Sequence, residues 1–331
     1  MAVSIEDIKK LRAMTGAGLA DVKKALTEAE GDFDKAKELL RERGLAIAAK
    51  RSDRETSNGC VLVKKVNDFA AIIALKCETD FVANGADFIK LTSDILDAAI
   101  AAKAQTLDEV KALKIGESDA QAAVTQRSGI TGEKMELDGY CVLEGDNIEV
   151  YDHMNKHTLC TMVQLNENNA EAGHKVAMQV AAMRPVALDE SSVSEETKKT
   201  ELEVAVAKTK EELVEKAVNA ALKKAGINPA HVDSEDHIES NTKKGWLTPE
   251  QAEEARNIKK TVGEEKAASL NPTMIQNIAN GRLAKFFKEN CLVDQEFQFG
   301  DGDKQTVAQY LASQSKDLKI VAYKRFTLAA E

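Results

Sequence analysis

The chain has 331 residues, 43% of them hydrophobic and 30% charged, and its formal net charge is −10. Its length calls for two or three domains with sizeable cores, and its composition for a globular rather than a disordered chain. The acidic balance excludes binding of a phosphate backbone by bulk attraction, so no direct nucleic-acid partner is expected, and basic pairs such as Lys50-Arg51 and Lys243-Lys244 read as solvated faces.

In chain order, residues 4–43 read as three short helices. Ser4 caps the first, with Asp7 in the N3 place and Ile5, Ile8 and Leu11 on the apolar face, and the turn Met14 to Gly18 ends it. The second carries Leu19, Val22 and Leu26 and closes near Gly31. Asp32 starts the third, which turns Phe33, Ala36, Leu39 and Leu40 inward and ends on Gly44 as a left-handed cap. This sets out a small helical module over 1–45, followed by a charged linker over 46–57.

A β-hairpin follows, Cys60 to Val66 and Phe69 to Leu75, around an Asn67-Asp68 loop suited to a type I′ turn. The second strand runs into Cys77-Glu78-Thr79-Asp80-Phe81-Val82-Ala83-Asn84, where Thr79 and Asp80 end the β pattern and an aromatic side chain follows at once. A Phe at such a corner is either the first core residue of the next helix or a wedge offered to a partner. On burial statistics alone it is core. Next comes a helix with Phe88, Leu91, Ile95 and Ala98-Ala99 on one side, and then a polar, partly helical stretch over 106–136. Three strands (Gly139 to Glu144, Asn147 to Asp152, Leu159 to Leu165) precede a helix, Ala170 to Met183, that stops before Pro185.

From Ser194 to Lys224 the sequence lacks Gly and Pro, which predicts a long helix in a hairpin or coiled coil, with Leu202, Val206, Leu213, Ala217 and Ala220 as its seam. Thr248-Pro249-Glu250-Gln251 and Asn271-Pro272 start two more helices, the second carrying Ile275, Ile278, Leu283, Phe286 and Phe287. A loop, Asp294 to Asp303, a helix around Thr306 to Ser313 and a strand, Leu318 to Phe326, close the chain. The expected fold class is α+β. Its parts are the module over 1–45, a core N-subdomain over 58–137, a core C-subdomain over 138–193 and 291–331, and a projecting helical hairpin over 194–290.

Catalytic signatures fail in turn. Gly129-Ile130-Thr131-Gly132-Glu133-Lys134 has two residues between its glycines where a phosphate loop has four, and Met135 stands where a magnesium ligand must be. Gly16-Ala17-Gly18 lacks the third glycine of a dinucleotide fingerprint. His153 and His157 flank a strand-to-strand turn and have no clear third metal ligand. The five cysteines (60, 77, 141, 160, 291) form no C-x-x-C pair, which favours reduced thiols, and Cys77 reads as a small buried residue rather than a nucleophile. No catalytic residue, cofactor or metal is expected. The N-terminus has no basic or long apolar segment, and no apolar run reaches the roughly 20 residues that span a bilayer, so a cytoplasmic protein without a membrane partner is expected.

What remains is a binding protein, and Leu11-Arg12-Ala13-Met14-Thr15-Gly16-Ala17-Gly18-Leu19-Ala20-Asp21-Val22-Lys23-Lys24-Ala25-Leu26 resembles the N-terminal signature of the elongation factor Ts family. Thr79-Asp80-Phe81-Val82-Ala83-Asn84 resembles its second signature. Tyr151-Asp152-His153, His174 to Pro185 and Gly281 to Phe297 follow in the family's order, so the resemblance covers roughly residues 1–225 and 272–328. It implies a guanine-nucleotide exchange factor for the translational GTPase elongation factor Tu, with a module like a ubiquitin-associated domain, a core of two α+β subdomains and a coiled-coil hairpin. It further implies that Asp80 and Phe81, flanked by Thr79 and Val82, approach the magnesium and phosphate region of the GTPase, with Phe81 as a wedge that leads to GDP loss. By the same resemblance His153 touches another domain of the GTPase, and Arg12, Leu19 and Lys23 are further contacts.

The chain departs from the family's usual residues at Ala74 and Lys76 and in its tail, Thr327 to Glu331, and residues 226–271 read as an insertion in the hairpin. Self-association, as a homodimer or in a two-to-two complex with the GTPase, is left open. The other readings are an adaptor that binds helical partners through residues 1–45 without exchange activity and, more distantly, a thiol enzyme built on Cys77.

Overall fold

The structure is a computed structural model that describes residues 3–300, 302 and 304–329, with the backbone alone at Ala48. The chain divides into two compact units. One runs up to Leu188 and resumes at Glu296, and the other is Asp189–Gln295.

The first unit begins with α1 (Ile5–Thr15), α2 (Leu19–Glu28) and α3 (Phe33–Ala49), which close on Ile8, Leu11, Val22, Ala25, Leu26 and Ala36. Ser4 caps α1 by accepting the Asp7 N–H at 3.0 Å, and Gly16 ends it with φ 69°. Two expected core residues lie outside: Ile5 is 72% exposed and Leu19 57%. The buried stripes are narrower than the sequence pattern, as a module this small can cover only the middle of each helix. Gly44 is not a left-handed cap either. α3 continues through it to Ala49, so the expected linker starts a few residues late.

In β1 (Asn58–Val66) and β2 (Phe69–Cys77) the chain forms the expected hairpin, but only Asn67 takes a positive φ, 53°. A type I′ turn needs both loop residues in that region, so the turn differs from the one expected. α4 (Asp80–Ala83), α5 (Ala86–Ala102) and α6 (Leu107–Ala112) follow, then a small ribbon, β3 (Lys114–Ile115) and β4 (Ser118–Asp119), and α7 (Ala120–Thr131). β5 (Met135–Glu144) pairs antiparallel with β2, completing a sheet of order β1-β2-β5. The expected subdomain boundary at 137 therefore falls inside a strand of the first sheet.

The second sheet is β6 (Ile148–Asp152), β7 (Leu159–Leu165) and β8 (Ile320–Thr327), antiparallel in that order. α8 (Ala170–Met183) packs on it, burying Val176, Ala177 and Val180, and α13 (Val307–Gln314) leads into β8. The two sheets meet through Ala70, Ile72 and Ala74 of β2 and Cys160 and Met162 of β7, while Phe69, Ala71, Ile73, Leu75 and Cys77 face Phe88, Ile95 and Ala99 of α5. β2 is thus buried on both faces, which is why its sequence is a continuous apolar run instead of an alternation. Gly139 of β5 lets the layers close: a Cβ there would lie 2.3 Å from the Phe326 ring.

The second unit comprises α9 (Glu195–Lys224), α10 (Glu235–Lys243), α11 (Pro249–Ala268) and α12 (Pro272–Asn290). Thr248 and Asn271 cap α11 and α12 as read from the sequence, and Ser194 caps α9. Instead of one two-helix seam, α9 serves two partners. Arg282 of α12 grips Glu212, and Val218 and Leu222 pack with Ile238 of α10 and Ala252 and Ala255 of α11. Its buried positions are accordingly Ala205, Thr209, Val218 and Leu222, whereas Leu202, Val206, Leu213 and Ala217 are half-buried and Ala220 is exposed. Residues 226–271, read as an insertion, build α10 and α11 and share this core. Residues 301 and 303 of the expected Asp294 to Asp303 loop, and Ala330 and Glu331 of the tail, lie outside the described residues.

Candidate functional site

The corner after β2 is built from its buried end outward. Cys77 is buried and its Sγ donates to the Thr79 carbonyl at 3.2 Å. Thr79 is the N-cap of α4, its hydroxyl oxygen accepting the Val82 N–H at 3.4 Å, and Asn84 Nδ2 returns to the Asp80 carbonyl at 2.8 Å. Within this single turn Val82 and Ala83 take the inward positions on the α5 core, so Phe81 must face away. Phe81 is 87% exposed. Of the two readings the sequence allowed, the core one is excluded, and Phe81 stands on the surface.

The base of the corner is held by charge. The Glu78 carboxylate accepts the Lys134 N–H at 2.6 Å and meets Arg54 at 2.8 Å and Arg51 at 3.5 Å. The Lys134 N–H above all, then the guanidinium of Arg54 and that of Arg51, hold its carboxyl below the ordinary glutamate value. A depressed carboxylate pKa adds stability that is complete above the unfolded-state value and is lost as pH falls through the lower folded one. The melting-temperature gap between wild type and Glu78→Gln is therefore expected to be widest near neutral pH and to close below about pH 4. A gap of equal size at acid and neutral pH would show that the ion cluster contributes nothing.

Beside the corner, Asp80 and Asn84 line a cavity of about 260 Å³ together with Lys156 and His157 from the turn between β6 and β7. This turn holds His153, whose Nδ1 lies 3.2 Å from the Tyr151 hydroxyl, while His157 pairs with Asp152. The two histidines therefore have separate partners, and among the described residues no group of three His, Cys, Asp or Glu side chains could hold a metal ion. Met154, at φ 57° and 65% exposed, stands at the tip of the turn. Nothing in the sequence pattern singled it out.

Arg12, Leu19 and Lys23 all lie on the surface of the N-terminal module, and Met14, before the Gly16–Gly18 turn, is also exposed, at 54%. No described contact ties these residues to the corner. The thiols are poor nucleophiles: burial pushes Cys77 and Cys60 up to about 12 and Cys141 and Cys291 up to about 11. No helix among the described residues is long and apolar enough to cross a membrane.

Comparison with known proteins adds a family. The family model described as "Elongation factor TS" matches residues 78–330, beginning at the base of this corner. The chain belongs to the elongation factor Ts family. Curated proteins named elongation factor Ts from Bacteroides fragilis and Parabacteroides distasonis are 62% and 60% identical to it over the whole of both chains, and that from Porphyromonas gingivalis is 39% identical, again end to end. Residues 226–271, read as an insertion in the hairpin, lie inside the matched span and inside the end-to-end alignments with these relatives.

Proposed function

We propose that this member of the elongation factor Ts family binds elongation factor Tu in its GDP form and promotes GDP release by disturbing the magnesium and phosphate site, so that GTP can rebind. The observation that carries this reading is Phe81, a large apolar side chain held almost wholly in solvent on a braced corner. A factor that binds the nucleotide-free GTPase more tightly than the GDP form weakens GDP to the same extent. Phe81 enters the GTPase as a wedge, Asp80 is carried beside it, and Thr79 and Val82 hold the turn from behind.

Magnitudes require more than the wedge. A thousandfold faster release needs about 4 kcal/mol if the coupling acts fully on the barrier, and burying one Phe supplies roughly 1.5–3 kcal/mol. Leu19, Arg12 and Lys23 on the module and His153 at the sheet turn supply the remainder, holding the wedge in place against the strain it creates. No step in this reaction uses a nucleophile or an acid–base group of the chain.

The adaptor reading differs in what the module does. Leu19 is exposed, so Leu19→Asp leaves the fold intact in either case. In an exchange factor the variant needs more protein to reach the same maximal rate of labelled-GDP release. If the module alone binds partners, the variant loses all binding and Phe81 plays no part.

A further inference from the structure

The stretch Gly129 to Lys134 has the glycines of a phosphate loop, but it sits at the C-terminal end of α7, where the helix presents carbonyl oxygens and the negative end of its dipole. It does not suit an anion. Its residues are instead spent on holding other parts of the unit. At Gly129 a Cβ would lie 2.2 Å from the Gly44 Cα, so α3 and α7 cross in backbone contact. Gly132, with φ 70°, ends α7 and turns the chain back, its N–H bonded to the Ser128 carbonyl at 2.9 Å. Glu133 is then fixed on both sides of its backbone: its carbonyl accepts the Ser128 hydroxyl at 2.5 Å, and its N–H donates to the Thr131 hydroxyl at 3.3 Å.

From that mount the Glu133 carboxylate reaches the corner. One oxygen accepts the Thr79 hydroxyl at 2.6 Å and the other the Thr79 N–H at 3.1 Å. With its hydrogen given to Glu133, the hydroxyl oxygen has a lone pair free for the Val82 N–H, which starts α4. A four-residue helix has too few internal bonds to keep its own direction, and charge-assisted bonds are among the stronger external ones. We infer that Glu133 is a positioning residue for nucleotide exchange: by clasping both donors of Thr79 it fixes the first turn of α4, and with it the direction in which Phe81 leaves the surface. The inference rests on the wedge reading of Phe81.

A loosened corner spends binding energy on ordering Phe81, which is felt when the wedge acts and much less when the module docks. The test uses the full chain and a GTPase loaded with fluorescent GDP, comparing wild type, Glu133→Ala, Glu133→Gln, Phe81→Ala and the Glu133→Ala/Phe81→Ala pair. Glu133→Ala is expected to lower the maximal release rate about tenfold, which is about 1.4 kcal/mol, with the half-saturating concentration changed by less than about twofold. Glu133→Gln, which keeps an acceptor in place, falls between Glu133→Ala and wild type and gives the readout should the alanine variant fold poorly. Amide hydrogen exchange at Thr79 and Val82 speeds up in Glu133→Ala, and with Phe81 already removed Glu133→Ala has no further effect on rate. A wild-type rate in both Glu133 variants, or an undiminished Glu133 effect in the Phe81→Ala background, overturns the inference while the wedge stands. A wild-type rate in Phe81→Ala overturns the wedge reading itself, and the inference with it.

Discussion

Phe81→Ala should release GDP from the GTPase between roughly tenfold and a hundredfold more slowly than wild type at saturating concentration, the range that follows from losing one buried Phe at the interface. The fold should not notice. Phe81 is 87% exposed, so its melting temperature should match wild type, whereas a core Phe would cost about 3–5 kcal/mol on truncation to Ala. The two readouts together separate the roles. Lost exchange with an unchanged melting temperature identifies a partner contact, and a large loss of stability would return Phe81 to the core. Since the wedge supplies only part of the energy, the variant should still bind the GTPase through the module and the turn that holds His153.

The second large effect is expected far from the corner, at Gly129→Ala. In an exposed helix the change from Gly to Ala gains about 1 kcal/mol in propensity. Here the new methyl would lie 2.2 Å from the Gly44 Cα, and backbone cannot swing aside as a side-chain tip can. Overpacking of this kind costs typically about 1–3 kcal/mol, so the sign reverses and the variant loses stability. The damage falls on the joint between α3 and α7, which ties the N-terminal helices to the rest of the first unit. Proteolysis near residues 50–57 should become faster, and the concentration for half-maximal exchange should rise. A stabilised Gly129→Ala would show that the two helices do not touch.

Those two glycines also show where sequence reasoning stopped. Helix starts were legible because caps act within four residues: Ser4, Thr248 and Asn271 were read correctly and bond as expected. The end of α8 before Pro185 was legible for the same local reason. Gly44 was misread because a glycine late in a helix has two uses, a left-handed cap or a close crossing, and only the partner helix decides between them. The pairing of β5 with β2, and not with the strand that follows it, is likewise a tertiary choice that moved a subdomain boundary. On α9 the buried stripe shifted because two helices divide its length, which no period along a single helix reveals.

The candidate site was half legible. Thr79 as a cap and the break in pattern at Asp80 follow from local chemistry. The direction of Phe81 does not, because it depends on Val82 and Ala83 claiming the inward positions. Glu133 stood inside a stretch read only as a failed phosphate loop, and its partner Thr79 lies 54 positions away. Leu19 and Met14 read as core or as structural turn residues until the small module left them at the surface.

The most direct measurement is of linkage itself. The chain is mixed with elongation factor Tu stripped of nucleotide, the complex is isolated, and an excess of GDP with magnesium is added. A stable complex that falls apart on that addition is expected, because tight binding of the empty GTPase and tight binding of GDP oppose each other. A complex that survives excess GDP and magnesium unchanged would contradict it.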